Sequence, residues 1–351
     1  MPFVDLIIPD AGVFSFRYSI ATPSSKSAES IAPHLPCIIF LHSCFVSQEV
    51  FELQFSDVFL RQFNLIAIDM RGYGETRGFI KEERYTPVES ARDVEQIMDK
   101  LHLPPCHFFG LSNGCTVALE LAISRPDLVL SLSLCSPLPP VEPKEIIAGR
   151  MEVCEYWRKM DESNNSGEQA EAISEELANE VFIGSSQLLY NNTKSNIAQT
   201  LSNFGLTTAK NIWAGSPEKL QNCHKSNIEW VLERRPDIDK LYGKIKAPVT
   251  IIHCSEDIAY PIHHAEELDC ALRKANVAKV SLHTTQGSHF GNVTNSQQVN
   301  KIVYETIISH HPELSLIASY SSKEADHNLP TPWTDLLIER YGYEPFDDDL
   351  N

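Results

Sequence analysis

The sequence has none of the patterns by which a chain commonly binds a metal or enters a membrane. Among its nine cysteines there is no C-x-x-C pair, and no spacing of cysteine and histidine is typical of a zinc site. No stretch approaches the roughly 20 consecutive apolar residues of a membrane span. The N-terminus lacks the basic segment of a secretory signal. We therefore expect no metal, no membrane partner and no secretion.

Basic residues are scarce relative to acidic ones. The 351 residues include 29 Lys and Arg against 47 Asp and Glu, which gives a formal charge of −18. The electrostatic field of this negative charge repels polyphosphates, so a nucleic-acid partner is not expected. Strongly anionic substrates are disfavoured for the same reason, unless a local basic pocket overrides the overall charge.

The cysteines bear on the cellular compartment. Their number is odd, and several lie in segments that we predict to be buried strands, namely Cys37, Cys106, Cys135 and Cys254. Buried cysteines behave as small hydrophobic residues. The sequence therefore predicts free thiols in a reducing compartment, and hence a cytoplasmic location.

Predicted strands alternate with predicted helices through most of the chain. Residues 3–8 and 13–20 predict a hairpin, and six further strands are predicted at 37–41, 64–68, 106–109, 128–134, 248–253 and 278–283. Predicted helices between them include 48–61, 87–101, 262–275 and 297–309. Thr86 and Glu89 form a capping box at the start of the second helix. This alternation predicts an α/β fold, with a mostly parallel, eight-stranded sheet covered by helices on both faces.

Two segments depart from this alternation. From 138 to 242 the strand pattern vanishes, and helix-period stretches contain Trp157, Trp213 and Trp230. We interpret this segment as a helical insertion into a core formed by 1–137 and 243–318. Residues 319–351 form an acidic, irregular C-terminal extension with aromatic residues as candidate anchors. These anchors would hold the extension either on the core or on a partner subunit. A homodimer is therefore one of the possible arrangements.

The pentapeptide from Gly110 to Gly114 has the form G-x-S-x-G, with Ser112 at its centre. A predicted strand precedes it and a helix-period stretch follows it, which is the context that a nucleophile elbow requires. In such a turn the serine adopts a strained backbone conformation that lifts its hydroxyl above the sheet. Side chains in place of the two glycines would collide across the turn.

Three further segments accompany this turn in a particular chain order. His42, Ser43 and Cys44 follow one predicted strand, and D-x-R-G-x-G-x-T at 69–76 follows the next. Asp257 and His289 follow the last two predicted strands. In the order serine, acid, histidine, the chain resembles the α/β-hydrolase superfamily over nearly its whole length outside the insertion and the extension. The insertion falls after the sixth strand, where this family places its lid.

The resemblance and the chemistry of the residues imply the same roles. Ser112 would be the nucleophile, His289 the general base, and Asp257 the carboxylate that orients the imidazole. The oxyanion would be stabilised by the backbone N–H of Asn113, at a helix N-terminus, and by that of Cys44. His42, Ser43, Trp157 and Trp213 are candidates for the substrate pocket.

Several alternatives remain beside these assignments. Ser43 stands where the family commonly has glycine, which is more permissive in its backbone conformation. Glu256 competes with Asp257 for the role of the acid, and Asp257 could instead cap the helix that follows it. His42 could support its loop, and the tryptophans could simply pack the insertion.

These residues predict a reaction without a cofactor. We expect a serine hydrolase that cleaves a carboxylic ester or lactone of a moderately apolar small molecule through an acyl-enzyme. One alternative is a non-hydrolytic or thioesterase reaction on the same fold, such as that of a lyase. Another is a ligand-binding receptor or interaction protein that keeps the fold for recognition alone.

Overall fold

The computed structural model describes residues 2–9, 11–163, 170–311 and 329–345, without the side chains of 161–163 and 170–175. Its eight strands are β1 (Phe3–Ile8), β2 (Gly12–Ala21), β3 (Cys37–Leu41), β4 (Asn64–Ile68), β5 (Cys106–Leu111), β6 (Val129–Cys135), β7 (Val249–Cys254) and β8 (Val280–Thr285). They form one sheet in the order β1-β2-β4-β3-β5-β6-β7-β8. β1 and β2 pair antiparallel, as does β2 with β4, and the remaining pairs are parallel. The predicted α/β fold with its mostly parallel, eight-stranded sheet is confirmed.

Alternate residues of each central strand face opposite sides of the sheet, so the sheet divides two apolar cores. In β3, Ile39 belongs to one core and Phe40 to the other, and both side chains are fully buried. A strand that is covered on both faces has no polar face, which is why β3 and β4 contain continuous apolar runs rather than alternating ones.

Helices cover both faces of the sheet. The α-helices are α1 (Glu52–Phe55), α2 (Pro87–Lys100), α3 (Asn113–Ser124), α4 (Lys144–Ser163), α5 (Ala170–Tyr190), α6 (Asn196–Trp213), α7 (Pro217–His224), α8 (Trp230–Leu232), α9 (Ile262–Lys274), α10 (Gly291–Thr294), α11 (Ser296–Ile308) and α12 (Thr334–Tyr341). Helices α2, α3 and α9 pack on one core, whereas α1, α11 and α12 pack on the other. None of the helices in the described ranges combines the length and apolar character needed to cross a membrane.

The start of α2 agrees with its sequence signature. The Thr86 hydroxyl accepts a hydrogen bond from the backbone N–H of Val88, and the Glu89 carboxylate accepts one from the backbone N–H of Thr86. Two donors that the helix itself leaves unpaired are thereby satisfied. The predicted capping box is confirmed.

The predicted helix at 48–61 is wrong as a continuous element. The segment contains a 3-10 turn at Gln48–Phe51, the single turn α1, and a second 3-10 turn at Leu60–Gln62. The cause is Asp57, whose carboxylate accepts hydrogen bonds from the backbone N–H groups of Phe59 and Leu60, each at 2.9 Å. The Asp57 carboxylate thus takes backbone N–H groups that a continuous helix would pair with carbonyls, and a new turn begins after it.

Helices α4 to α8 lie between β6 and β7, and the described residues of this part of the chain contain no strand. This is the position in the sheet order at which the insertion was expected. Residues 164–169 of the predicted insertion lie outside the described residues. The exact domain boundaries at 137 and 243 stay a prediction.

The C-terminal extension is more regular than its composition indicates. The irregular structure expected from 319 onward is wrong for 334–341, which forms α12 and ends at Gly342 in the left-handed conformation. The Trp333 side chain is fully buried against Phe55, with ring centroids 4.7 Å apart, and the Thr334 hydroxyl donates to the buried carboxylate of Glu52. The parts of the extension at 319–328 and 346–351, and its boundary at 318, lie outside the described residues.

The docking of α12 predicts the effect of a substitution at Trp333. We expect Trp333→Ala to lower the free energy of unfolding by about 3–5 kcal/mol, because it empties a fully buried site in the core. Ile338→Ala removes a side chain that is 43% exposed on the same helix, and it should cost less than about 1 kcal/mol. Urea unfolding of both variants measures this difference. If both variants lost the same free energy of unfolding, the docking of α12 would not contribute to the stability of the core.

Candidate active site

Ser112 lies at a sharp turn between β5 and α3. Its backbone has φ 53° and ψ −111°, a strained conformation for a residue with a side chain. Its N–H donates to the carbonyl of Cys135 on β6 at 2.9 Å, which ties the turn to the neighbouring strand. The predicted sequence of strand, strained serine and helix is therefore present.

The two flanking glycines are required by contacts across this turn. A Cβ atom at Gly110 would lie 2.7 Å from the backbone of Cys115 in α3. At Gly114 it would lie 2.0 Å from the carbonyl oxygen of Leu41 at the end of β3. Both distances are too short for any side chain, so the glycines allow α3 to pack directly against the sheet.

The structure brings Ser112, His289 and Asp257 together from three distant parts of the chain. The Ser112 Oγ atom lies 2.8 Å from His289 Nε2, and His289 Nδ1 lies 2.7 Å from Asp257 Oδ2. All three side chains are buried. Each follows the C-terminal end of a strand (β5, β7 or β8), so the parallel sheet collects them at a single edge.

Asp257 is held as a carboxylate. Burial by itself raises the pKa of this group, but the adjacent His289 and the backbone N–H groups of Ala259 and Tyr260 lower it below its ordinary value. Both N–H groups donate to Oδ1 at 2.9 Å, which leaves Oδ2 for the imidazole. The competing Glu256 is exposed, whereas Asp257 is buried and bonded to the imidazole.

The loop after β3 is held by His42. Its Nε2 atom accepts a hydrogen bond from the Met70 N–H at 3.0 Å, so Nδ1 carries the proton and donates to the Ser43 carbonyl at 2.6 Å. Burial lowers the pKa of His42, which keeps the ring neutral. The left-handed residue of the loop is Phe45, with φ 62°, and Ser43 does not have a positive φ, so its backbone conformation does not call for glycine.

The predicted pocket residues line two different cavities. A cavity of about 390 Å³ is bordered by Trp157, Trp213 and Phe45. A much smaller one of about 20 Å³ is lined by residues that include His42, Ser43, Cys44 and Asn113. The two proposed oxyanion donors, Cys44 and Asn113, therefore border the same small space. Their role in catalysis stays a prediction.

Sequence reasoning missed Arg150, a buried arginine of α4. Its side chain reaches from the larger cavity to Cys44, whose Sγ atom accepts a hydrogen bond from Nη1 at 2.8 Å. Its Nε donates to Glu142 at 2.9 Å, and Tyr260 donates to the same carboxylate at 2.7 Å. An isolated arginine in a helical insertion carries no motif, and only the folded chain places it at the site.

Together these features define a class of protein. A strained serine at a strand–helix turn, an imidazole and a carboxylate at the carboxyl edge of a mostly parallel sheet are the arrangement of the α/β hydrolases. The model of the family described as alpha/beta hydrolase fold matches residues 36–292. The chain belongs to this family.

The relatives with known names differ from one another in activity. A protein of Yersinia enterocolitica, provisionally named as the carbamate hydrolase RutD, is 23% identical over 71% of this chain and 79% of its own length. A Bacillus subtilis protein, provisionally named as a 2-succinyl-6-hydroxy-2,4-cyclohexadiene-1-carboxylate synthase, is 29% identical over 35% of this chain. In that relative the match spans only 42% of the length, which is less than half.

Solved structures share the fold over almost their whole length. A thermophilic esterase from Thermogutta terrifontis has a TM-score of 0.64 at 16% identity, covering 89% of this chain and all of that one. The enol-lactonase from Burkholderia xenovorans LB400 has a TM-score of 0.61 at 18% identity, covering 87% and 99%. At this level of identity the similarity establishes the fold.

The close contact at Gly114 predicts that this residue cannot be replaced. Gly114→Ala should lower the free energy of unfolding by about 2 kcal/mol or more, because the new methyl group overlaps the Leu41 carbonyl and separates α3 from β3. Gly243→Ala is a matched control, since its Cβ would meet its nearest neighbour at an ordinary 3.5 Å. Chemical unfolding compares the two variants. A Gly114→Ala protein as stable as the control would contradict the tight packing of this turn.

Proposed function

We propose that the protein is a serine hydrolase that cleaves a carboxylic ester or lactone through an acyl-enzyme intermediate. The observation that carries this proposal is the continuous chain of hydrogen bonds from Ser112 Oγ through the His289 ring to Asp257, with distances of 2.8 and 2.7 Å. A serine hydroxyl is a weak nucleophile unless a base takes its proton, and this geometry supplies the base and its orienting carboxylate.

In the proposed reaction His289 removes the proton of Ser112 as Oγ attacks the substrate carbonyl. The oxyanion that forms accepts hydrogen bonds from the backbone N–H groups of Asn113 and Cys44. His289 then donates its proton to the leaving alcohol, which leaves the acyl group on Ser112. Water enters, loses a proton to His289 and releases the acid, so that the enzyme returns to its starting state.

The larger cavity supports a moderately apolar substrate. Its volume of about 390 Å³ suits a small molecule. Its walls are mainly aromatic and aliphatic side chains, with Trp157, Trp213 and Leu189 among them. We propose that the inserted helices act as a lid and that this cavity receives the acyl or alcohol part of the substrate. The esterase and lactonase that share the fold agree with this class of reaction.

The alternatives use the same fold differently. A thioesterase or lyase reaction would employ the same activated serine on another substrate, and a binding protein would keep the pocket without turnover. One human relative is named epoxide hydrolase 4, but an epoxide hydrolase mechanism of the usual kind calls for an aspartate nucleophile where this chain has Ser112.

We also propose a cytoplasmic location, which the nine free cysteines support.

The role of Ser112 predicts both labelling and turnover. A fluorophosphonate probe should modify wild type but not Ser112→Ala, because only an activated serine attacks the phosphorus. On a panel of p-nitrophenyl esters and lactones, Ser112→Ala should lower kcat on the order of 10³-fold or more. Ser309→Ala, at an exposed serine, is the control and should behave as wild type. Absence of labelling in the folded wild type would favour the binding protein.

The assignment of the acid predicts a contrast between neighbouring residues. Asp257→Asn should lower kcat by orders of magnitude, on the order of 10³-fold, because an amide stabilises the wrong tautomer of His289. Glu256→Gln removes the same charge one residue earlier, from an exposed side chain, and should change kcat less than about twofold. Steady-state kinetics on the best substrate of the panel measures both. A larger effect at Glu256 would reverse the assignment.

A further inference from the structure

Arg150 occupies a position that the proposed reaction does not use. Its side chain is 5% exposed, and it is one of the residues that line the larger cavity. Nη1 donates to Cys44 Sγ at 2.8 Å, and Nη2 lies 3.5 Å from Asn113 Oδ1. The guanidinium therefore contacts the side chains of both residues whose backbone N–H groups we assign to the oxyanion.

The buried charges around Arg150 do not balance. Arg150 and Arg234 both pair with the single carboxylate of Glu142, and all three side chains are buried. Asp257 is committed to His289. Arg234 Nη1 has no hydrogen-bond partner among the described residues. This cluster thus contains two guanidinium cations for one carboxylate, and a buried cation without a counter-charge is costly.

The acceptors that Arg150 finds towards the active site are poor ones. A thiol sulfur is a weak acceptor, and contacts at 3.5 Å to Asn113 and to the Tyr260 hydroxyl are long for hydrogen bonds. A guanidinium edge is shaped for two parallel hydrogen bonds to a carboxylate. Arg150 therefore has the charge for one more anionic group, and its Nη donors contact only weak or distant acceptors that a carboxylate could replace.

We propose that Arg150 forms a subsite for a carboxylate that the substrate carries close to the bond that is cleaved. The proposal refines the proposed function, on which it rests, by adding an anionic group to an otherwise apolar ester or lactone. The apolar remainder occupies the cavity beside Phe45, Trp157 and Trp213. Glu145, Glu152 and Glu180 also line this cavity and are exposed, so they disfavour a second anionic group at the outer end of the substrate.

This subsite reconciles two observations on charge. The formal charge of −18 repels anions at long range, but a buried guanidinium acts over a few ångströms in a medium of low dielectric constant. Discrimination for a carboxylate can therefore arise inside the cavity of an acidic protein.

The experiment compares two ligands that differ only in charge. Hexanoate and hexanamide have the same length and nearly the same shape, and calorimetric titration measures their affinities without turnover. We expect wild type to bind hexanoate at least about 10-fold more tightly than hexanamide, because a charge-assisted pair replaces a neutral one. Arg150→Met should abolish this preference, whereas Arg150→Lys should keep part of it.

Two features make the variant interpretable. Removal of Arg150 leaves Glu142 paired with Arg234, one cation to one carboxylate, so Arg150→Met is expected to fold. Arg158→Met removes the same charge from an exposed site on the same helix, and it should retain the wild-type preference for hexanoate. Equal binding of the two ligands by wild type, or a preference that persists in Arg150→Met, would overturn the subsite.

Fluorophosphonate labelling separates this result from the proposed function. If wild type prefers hexanoate through Arg150 but its serine is not labelled, the subsite stands and the hydrolase proposal fails. If wild type and Arg150→Met are both labelled at Ser112 but bind the two ligands equally, the hydrolase proposal stands and the subsite fails.

Discussion

The site depends on the direct contact between α3 and the sheet at the Ser112 turn. Because Gly110 and Gly114 have no side chains, the helix starts in van der Waals contact with its own strand and with the end of β3. This packing, with the hydrogen bond from Ser112 to Cys135, holds the serine in a backbone conformation that it would not adopt in a free chain. The strain is local, and the rigid sheet on either side supports it.

The parallel sheet converts this local feature into a site. Strands β5, β7 and β8 end at the same edge, so a serine, a carboxylate and an imidazole that are 32 to 177 residues apart become hydrogen-bonded neighbours. Two apolar cores cover the faces of the sheet, and the three side chains at its edge are buried. In these surroundings each polar group needs a partner, and Asp257 has three.

Much of the fold could be predicted because its signals are local. Continuous apolar runs identified the strands buried on both faces, and Thr86 with Glu89 identified the start of α2. The failures have local causes of another kind. Asp57 ended a helical pattern by accepting hydrogen bonds from the backbone N–H groups of Phe59 and Leu60. Helix α12 formed in a segment whose acidic composition favoured irregular structure, although its aromatic residues indicated anchors.

For the site, the sequence by itself determined which residue types follow which strands, and a shared edge of the sheet was enough to bring Ser112, Asp257 and His289 together. Only the tertiary structure decided which surroundings these groups have. Arg150, Glu142 and Arg234 come from a helical insertion without a motif, and their contacts depend on how its helices pack over the sheet. Helix packing is set by many weak contacts between distant residues, and no short pattern in the sequence records it.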